Sequence, residues 1–387
     1  MSPFLQDLAS ELAKLERAQR LRANPALAGS DRIHFTRDGA PLLAFASNDY
    51  LGLASHPALC QAAVSSCRDG FGAAAARLVT GDFPAHRLLE EALATFLGLP
   101  DCLLFPTGYQ ANLAVMTTLA GPDDLIVSDQ ANHASIIDGC RLSRAQIKIY
   151  PHGDSAAARA ALRSPGVFRR RVLVTESLFS MDGDVAPLAD LSTAASESGA
   201  VFVVDEAHAL GVLGPEGRGV CQNIGVAPDV TVGTLGKAFG AFGGFVAGES
   251  PLRQFLLNRA RSYIFTTSLP PPVAAAAAAG VLLAGGPEGE RRRQRLNINR
   301  ALLQERLRSS HLSPGADMPG PIFPVLLGAD ARALAVSRAL AQRGILAPAI
   351  RPPTVPEGAA RLRITLSAAH TAEEINRLAD ALQDLAA

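Results

Sequence analysis

From about residue 40 onward the chain alternates short β-branched or aliphatic runs with stretches of helical periodicity. The clearest apolar runs fall at 42–46, 102–105, 125–128, 147–150, 171–175, 201–205, 230–234 and 244–247. Segments such as 87–97 and 188–197 lie between some of them, with apolar residues at helical spacing. Near-continuous apolar strands alternating with helices predict an α/β domain whose sheet is largely parallel and buried on both faces. Ahead of it, residues 1–30 read as an amphipathic helix ending near Asn24-Pro25. Behind it, Pro270-Pro271-Pro272 opens an alanine-rich helix that Gly285-Gly286-Pro287 closes. A charge-rich helix over 288–309 follows, then strands near 322–327 and 362–366 and a final helix from Thr371, the pattern of a small α+β domain. The expected organisation is an N-terminal helical segment (1–40), a large domain (41–285) and a small C-terminal domain (286–387).

Composition narrows the function classes. The 387 residues are 48% hydrophobic and 19% charged, which excludes a disordered chain and fits two or three domains. Basic and acidic residues number 36 each, so no net field points to nucleic acid or an anionic membrane. The longest apolar stretch, 273–284, is mostly alanine and too short to span a bilayer. The first residues mix both charges with apolar positions and lack the continuous apolar core of a signal peptide, so a soluble cytoplasmic protein is expected. Cys60, Cys67, Cys102, Cys140 and Cys221 are odd in number and widely spaced, which argues against a disulfide framework and a zinc cluster; no metal is expected.

The lysines carry the sharpest chemical signal. Only Lys14, Lys148 and Lys237 occur among the 36 basic residues, and Lys237 follows a strand directly, in Thr234-Leu235-Gly236-Lys237-Ala238-Phe239-Gly240. Arginine stays charged, whereas lysine can be neutralised by its surroundings and attack a carbonyl. A loop-capping lysine is the alternative, and spacing alone does not choose between them. A phosphate-cradling P-loop is excluded, because Thr231 stands where its first glycine belongs and Ala238 where its Ser/Thr belongs. No early strand carries the G-x-G-x-x-G of a dinucleotide domain, and no G-x-S-x-G elbow occurs.

A second element is Val201-Phe202-Val203-Val204-Asp205-Glu206-Ala207-His208, an apolar strand delivering Asp205 to its C-terminal end, where open α/β sheets bind ligands. A carboxylate there can keep a heteroaromatic nitrogen protonated and turn the ring into an electron sink. Alone, such an aspartate is more readily a cap on the next turn; with Lys237 one strand further on, the pair becomes more specific. The third element, Phe105-Pro106-Thr107-Gly108-Tyr109-Gln110-Ala111-Asn112, is a strand, a glycine turn and a helix start with free N–H groups for a phosphate. Tyr109 and His133 offer flat surfaces for stacking. Together these pieces describe a site for pyridoxal 5′-phosphate.

The chain resembles the α-oxoamine synthases of the aspartate aminotransferase-like superfamily. The resemblance rests on Ser47-Asn48-Asp49-Tyr50-Leu51-Gly52-Leu53, Thr175-Glu176-Ser177-Leu178-Phe179-Ser180-Met181-Asp182-Gly183-Asp184, Asp205-Glu206-Ala207-His208, Gly217-Arg218-Gly219, Thr234-Leu235-Gly236-Lys237 and Ile350-Arg351-Pro352-Pro353-Thr354-Val355-Pro356. It implies a large domain with a mostly parallel seven-stranded sheet, a small α+β C-terminal domain, and a homodimer. It implies that Lys237 joins the cofactor covalently and serves as base, that Asp205 pairs with the ring nitrogen, and that His208 and Ser180 bond the ring's oxygen side. His133 would stack on the ring, with Gly108, Tyr109 and Thr234 near the phosphate. His133 and His208 would also stabilise developing charge. Thr266 and Thr267 would reach the phosphate of the other subunit, completing the site across the interface. Arg351 would grip the amino-acid carboxylate, with Thr354 in the same substrate loop, and Arg22 (with Arg20 as second choice) would meet the acyl substrate. The implied reaction is a decarboxylative condensation of L-alanine with a pimeloyl thioester, on coenzyme A or an acyl carrier protein, in biotin synthesis.

Competing readings are a glycine-using relative such as 2-amino-3-ketobutyrate ligase or 5-aminolevulinate synthase, a nicotinamide oxidoreductase, and a non-catalytic binder on the same fold. Arg351-Pro352-Pro353-Thr354 disfavours the first, the missing glycine fingerprint the second, and intact Lys237, Asp205 and His208 the third. One segment departs from the family: relatives carry a glycine- and serine-rich stretch where this chain has Phe71-Gly72-Ala73-Ala74-Ala75-Ala76-Arg77-Leu78-Val79-Thr80-Gly81. Alanine resists the positive φ angles that glycine allows, so a different loop conformation is expected there.

Overall fold

The structure, a computed structural model, describes residues 1–22, 24, 26–29, 31–308, 310, 312–314 and 318–386. Seven strands form the main sheet in the order Asp101–Phe105, Gly244–Gly248, Val230–Thr234, Val201–Asp205, Arg171–Glu176, Leu125–Asp129 and Gln146–Tyr150. Gly244–Gly248 runs antiparallel to both neighbours, and the remaining pairings are parallel. Along a strand, side chains alternate between faces. Val172, Val174 and Val203 accordingly enter one hydrophobic cluster while Leu173, Phe202 and Val204 enter another on the opposite face. Burial on both faces is why these strands read as unbroken apolar runs.

The run at 42–46 does not join this sheet. Its strand, Ala40–Ala44, pairs antiparallel with His34–Arg37 and parallel with Ile345–Leu346, so a separate small sheet ties the N-terminal region to residues some 300 positions later. Local pattern shows that a segment is extended; it does not show its partner. A second small sheet joins Ile322–Gly328, Ala360–Thr365 and Ala349–Ile350, all antiparallel.

The N-terminal helix is shorter than expected, Pro3–Arg17. It ends where Gln19 turns to φ +55°, with Gln19 N–H bonding to Glu16 O at 2.9 Å and Arg20 N–H to Leu15 O at 2.7 Å. That closure is normally announced by glycine, and here no glycine marks it. The helix buries none of its own residues, and Phe4, Leu5, Leu8, Leu12 and Leu15 are exposed. Among the described residues no helix is long and apolar enough to cross a membrane.

The alanine-rich helix, Pro271–Gly285, packs tightly against the loop that bears Lys237. A Cβ on Gly280 would lie 2.2 Å from the Phe239 carbonyl oxygen, so only a smooth helix face fits there. The loop at 71–81 resolves the conflict raised by its composition: Ala74 adopts the left-handed conformation itself, at φ +58°. Ala75 O accepts from Ser268 N–H at 3.0 Å and would lie 2.1 Å from a Cβ on Gly81. The loop thus keeps a glycine-like backbone at a cost of about 1 kcal/mol for an L-residue in that region. Ala74→Gly is therefore expected to leave activity unchanged and raise stability by up to about 1 kcal/mol, read as a higher Tm; a lower Tm overturns this account.

Candidate active site

The parallel strands deliver their C-terminal ends to one crevice. Asp205 ends its strand, Glu176 ends the neighbouring one directly across from it, and Thr234 ends the next, leading into Leu235-Gly236-Lys237. Asp205 is buried and well partnered: Oδ1 accepts from Ala207 N–H at 2.9 Å and Oδ2 from Asn112 Nδ2 at 2.7 Å. Asn112 also donates to Ser135 Oγ at 2.9 Å, and Ser135 lies 2.8 Å from His133 Nδ1. Ser135 N–H donates to the same nitrogen at 3.2 Å. The network therefore assigns Nδ1 as acceptor and leaves Nε2–H on the exposed side of His133. Burial against the protein behind it lowers the His133 pKa, with Lys237 adding to the effect and Asp205 opposing it.

Lys237 loses its proton far more readily than an ordinary lysine. Burial lowers its pKa to about 8, helped by the Arg363 guanidinium and resisted by the Asp205 and Glu176 carboxylates. His208 is pushed well below the usual histidine range by burial, with the charges of Lys237 and Arg363 adding to the effect. Its Nδ1 lies 2.7 Å from the Tyr50 hydroxyl, which donates to Asn48 Oδ1 at 3.1 Å, so His208 donates through Nδ1–H. Asn48 Oδ1 also accepts from Arg363 Nη1 at 3.2 Å, and Arg363 Nε donates to the carbonyl of Ser180. Arg363 is buried, and among the described residues no carboxylate pairs with it.

Gly108 opens the helix Gly108–Leu119, capped by Thr107 Oγ1 accepting from Gln110 N–H at 3.1 Å. A Cβ on Gly108 would meet Thr234 at 3.4 Å, so the helix start and the end of the Val230–Thr234 strand are in contact. Thr234 Oγ1 donates to Gly243 O at 3.0 Å and accepts from Gly236 N–H at 3.3 Å, shaping the turn before Lys237. Tyr109 is exposed and donates to the Asp138 carboxylate. Thr266 accepts from Gln110 Nε2 of its own chain at 3.3 Å, and Thr267 beside it is exposed.

Two cavities flank the crevice. One of about 470 Å³ is lined by Asn132, His152, Met181, Asp182, Thr354 and Arg361 among others. A smaller one of about 180 Å³ is lined by Arg20, Arg22, Arg351 and Thr354. Arg351 donates to the Gln19 carbonyl, and Arg20 pairs with Glu357 at 2.6 Å. Thr354 lines both cavities.

Lys237, Asp205, His208, His133 and Ser180 thus gather at the crevice, while Arg22 and Arg351 line a cavity beside it. Sequence reasoning missed Asn112, Glu176, Tyr50, Asn48 and Arg363. The first four lie inside the motif segments already noted; Arg361 and Arg363 alternate with Leu362 and Ile364 in a fully buried strand, a signal that was available.

Residues 40–382 match the family model for class I and II aminotransferases. The 8-amino-7-oxononanoate synthase of Methylococcus capsulatus is 48% identical over 383 residues, covering 98% of this chain and 98% of that one. That of Bordetella petrii is 47% identical over 392 residues, covering 99% and 98%. The chain belongs to the 8-amino-7-oxononanoate synthase family. A lysine-to-alanine variant of serine palmitoyltransferase from S. paucimobilis, with a bound pyridoxal phosphate–myriocin aldimine, superposes with a TM-score of 0.92 at 30% identity, covering 100% of this chain and 98% of that one. The 8-amino-7-oxononanoate synthase from Francisella tularensis gives 0.77 at 29% identity, covering 89% and 96%.

With the family come the enzyme class, an acyltransferase, and the cofactor, pyridoxal phosphate. The residues present fit that group: an amine of lowered pKa at Lys237, a partnered carboxylate at Asp205, and a helix start free to receive a phosphate. The buried Asn112 Oδ1 and Glu176 Oε1 have no protein partner, which leaves polar capacity facing the crevice.

Proposed function

We propose that the chain condenses L-alanine with a pimeloyl thioester, carried by coenzyme A or an acyl carrier protein, to give 8-amino-7-oxononanoate, carbon dioxide and free thiol in biotin synthesis. The observation that carries the substrate pair is the placement of two separate cationic sites. Arg363 has no carboxylate partner among the described residues and its charge reaches Lys237, and Arg22 and Arg351 line a small cavity that shares Thr354 with the larger one. One suits the carboxylate of an amino acid, the other the far carboxylate of a dicarboxylic acyl chain.

Bound at the crevice, pyridoxal phosphate supplies an electron sink conjugated to the amino acid's Cα. Lys237 Nζ takes the Cα proton, which its lowered pKa suits. Asp205 holds the ring nitrogen, His208 and Ser180 the ring's oxygen side, and Gly108, Tyr109 and Thr234 the phosphate. His133 covers the ring, and its Nε2–H faces charge developing on the substrate. Thr266 and Thr267 of a second copy complete the phosphate site, and the exposed apolar stripe of Pro3–Arg17 supports a homodimer. The large domain (41–285) carries the cofactor; the small domain (286–387) brings Arg351, Thr354 and Arg363.

The carboxylate clamp first expected at Arg351 is assigned here to Arg363, because Arg351 donates to the Gln19 carbonyl while Arg363 lacks an anion. Arg363→Ala is expected to raise KM for alanine by on the order of 10²-fold, the loss of a charge-assisted pair, and Arg351→Ala by less. The opposite order returns the clamp to Arg351. The function itself is tested by initial rates of thiol release with alanine, glycine and serine against pimeloyl and acetyl thioesters. If glycine with acetyl-CoA is the fastest pair, the family stands and this substrate assignment falls.

A further inference from the structure

Glu176 is a buried carboxyl that the reaction just described does not use. It ends the Arg171–Glu176 strand in register with Asp205 on the neighbouring parallel strand. Paired residues of parallel strands lie about 4.8 Å apart and present their side chains to the same face. The two carboxyls therefore stand side by side next to one amine, Lys237. Their satisfaction differs. Asp205 receives Asn112 Nδ2 and Ala207 N–H on its two oxygens, whereas Glu176 Oε1 has no partner and the carboxyl is helped only by the backbone N–H of His133.

We propose that Glu176 holds a proton in the cofactor-free site at neutral pH and shares it with Lys237. The proposal rests on the reading of Lys237 as the reacting amine. Two carboxyls side by side in dry protein repel when both are ionised, and Arg363 spends its donors on Asn48 Oδ1 and the Ser180 carbonyl instead of on either of them, so the less satisfied carboxyl takes the proton. The groups facing Glu176 agree: the Asp205 and Asp129 carboxyls disfavour its ionised form, Lys237 favours it, and the Tyr50 hydroxyl lies within its field. Burial and Asp205 together raise the Glu176 pKa to about 8, where Lys237 also titrates, so the last proton belongs to the pair. In the state with one proton on the pair, transfer from Lys237 Nζ to a Glu176 carboxylate oxygen breaks an N–H bond and forms an O–H bond. The nitrogen lone pair is exposed without a proton crossing to solvent. Glu176 is thus a proton-holding partner of Lys237.

The test is infrared difference spectroscopy of the full-length, cofactor-free protein, wild type against Glu176→Gln, over a pH series. The expected result is a protonated-carboxyl carbonyl stretch at pH 6–7 that fades as pH rises through about 8 and is missing in Glu176→Gln. Absence of the band in the wild type, or its survival in the variant, overturns the proposal. A second measurement follows the rate at which added pyridoxal phosphate loads onto the protein. Without the Glu176 carboxylate Lys237 loses ammonium stabilisation, so the midpoint of the pH–rate curve should fall by about one pH unit in Glu176→Gln. An unchanged midpoint also overturns the sharing. Failure of these tests leaves Lys237 as the reacting amine, which covalent labelling checks separately.

Discussion

Lys237→Ala is expected to abolish turnover while leaving the fold intact. In the function proposed above the side chain is both the covalent anchor for the cofactor and the base for the Cα proton, and neither of the other two lysines is placed to replace it. Lys14 sits on the exposed N-terminal helix, paired with Glu11 at 2.6 Å. Lys148 is tied to Ser164 Oγ on the outermost strand of the sheet. Loss of a positioned base alone costs on the order of 10²–10⁴-fold, and loss of the nucleophile adds to it. Far-UV circular dichroism of the variant should match the wild type, since the residue lies in a loop after the strand and its stem is a small part of the core. Borohydride treatment of wild type with pyridoxal phosphate should fix the cofactor to the peptide containing Lys237; fixation at Lys14 or Lys148 would sink the assignment. The pH sign follows from the amine. With Lys237 lowered to about 8, the free-amine fraction rises with pH, so loading of the cofactor should accelerate from pH 6 to 9. The rise should level off near pH 9, whereas for an unperturbed lysine it would continue past pH 10.

Six of the seven strands of the main sheet were legible because they are buried on both faces, and the edge strand Gln146–Tyr150, partly exposed, was legible through its β-branched residues; run and strand coincide to within a residue or two. Val201–Asp205 and Val230–Thr234 match at both ends. The placement of the candidate residues was legible for the same reason: Asp205, Lys237 and Gly108 each stand at a strand end or the turn after it, where the fold class puts ligands. What stayed hidden depends on distant contact. Nothing near Ala40–Ala44 tells that it pairs with Ile345–Leu346, and nothing near Arg351 tells that it turns to Gln19 while Arg363 faces Lys237. Glu176 stood in a quoted motif, yet its role needs its register with Asp205. Ala74 shows the limit of propensity: its left-handed backbone is imposed by neighbours such as Ser268, against the residue's own preference.

Asp205→Asn is the variant that separates charge from shape. Asp205 accepts from Ala207 N–H and from Asn112 Nδ2, so a substitution by alanine would remove a turn cap and a buried acceptor along with the charge. Asparagine keeps the Ala207 bond through its carbonyl oxygen. Its amide hydrogens then face Asn112, whose Oδ1 has no partner in the wild type. A flip of the Asn112 amide presents that oxygen to the new donor, and Ser135 Oγ, now a donor to Asn112 or to His133, adjusts by rotating its hydroxyl. The bonds made at position 205 are kept and the negative charge is lost, at the cost of one Ser135 bond and of an Asn112 amide group left without an acceptor. Without the negative charge the pyridine nitrogen of the cofactor is no longer held protonated, and the electron sink at Cα weakens. The expected cost is on the order of 10²-fold or more in kcat, about 3 kcal/mol of transition-state stabilisation. KM for alanine should change little, since its carboxylate is held elsewhere. The measurement is kcat at saturating alanine and thioester, with circular dichroism to confirm the fold. Near-normal kcat in Asp205→Asn would mean that the aspartate only caps the turn at Ala207, and that the negative charge at the end of the Val201–Asp205 strand has no part in the chemistry.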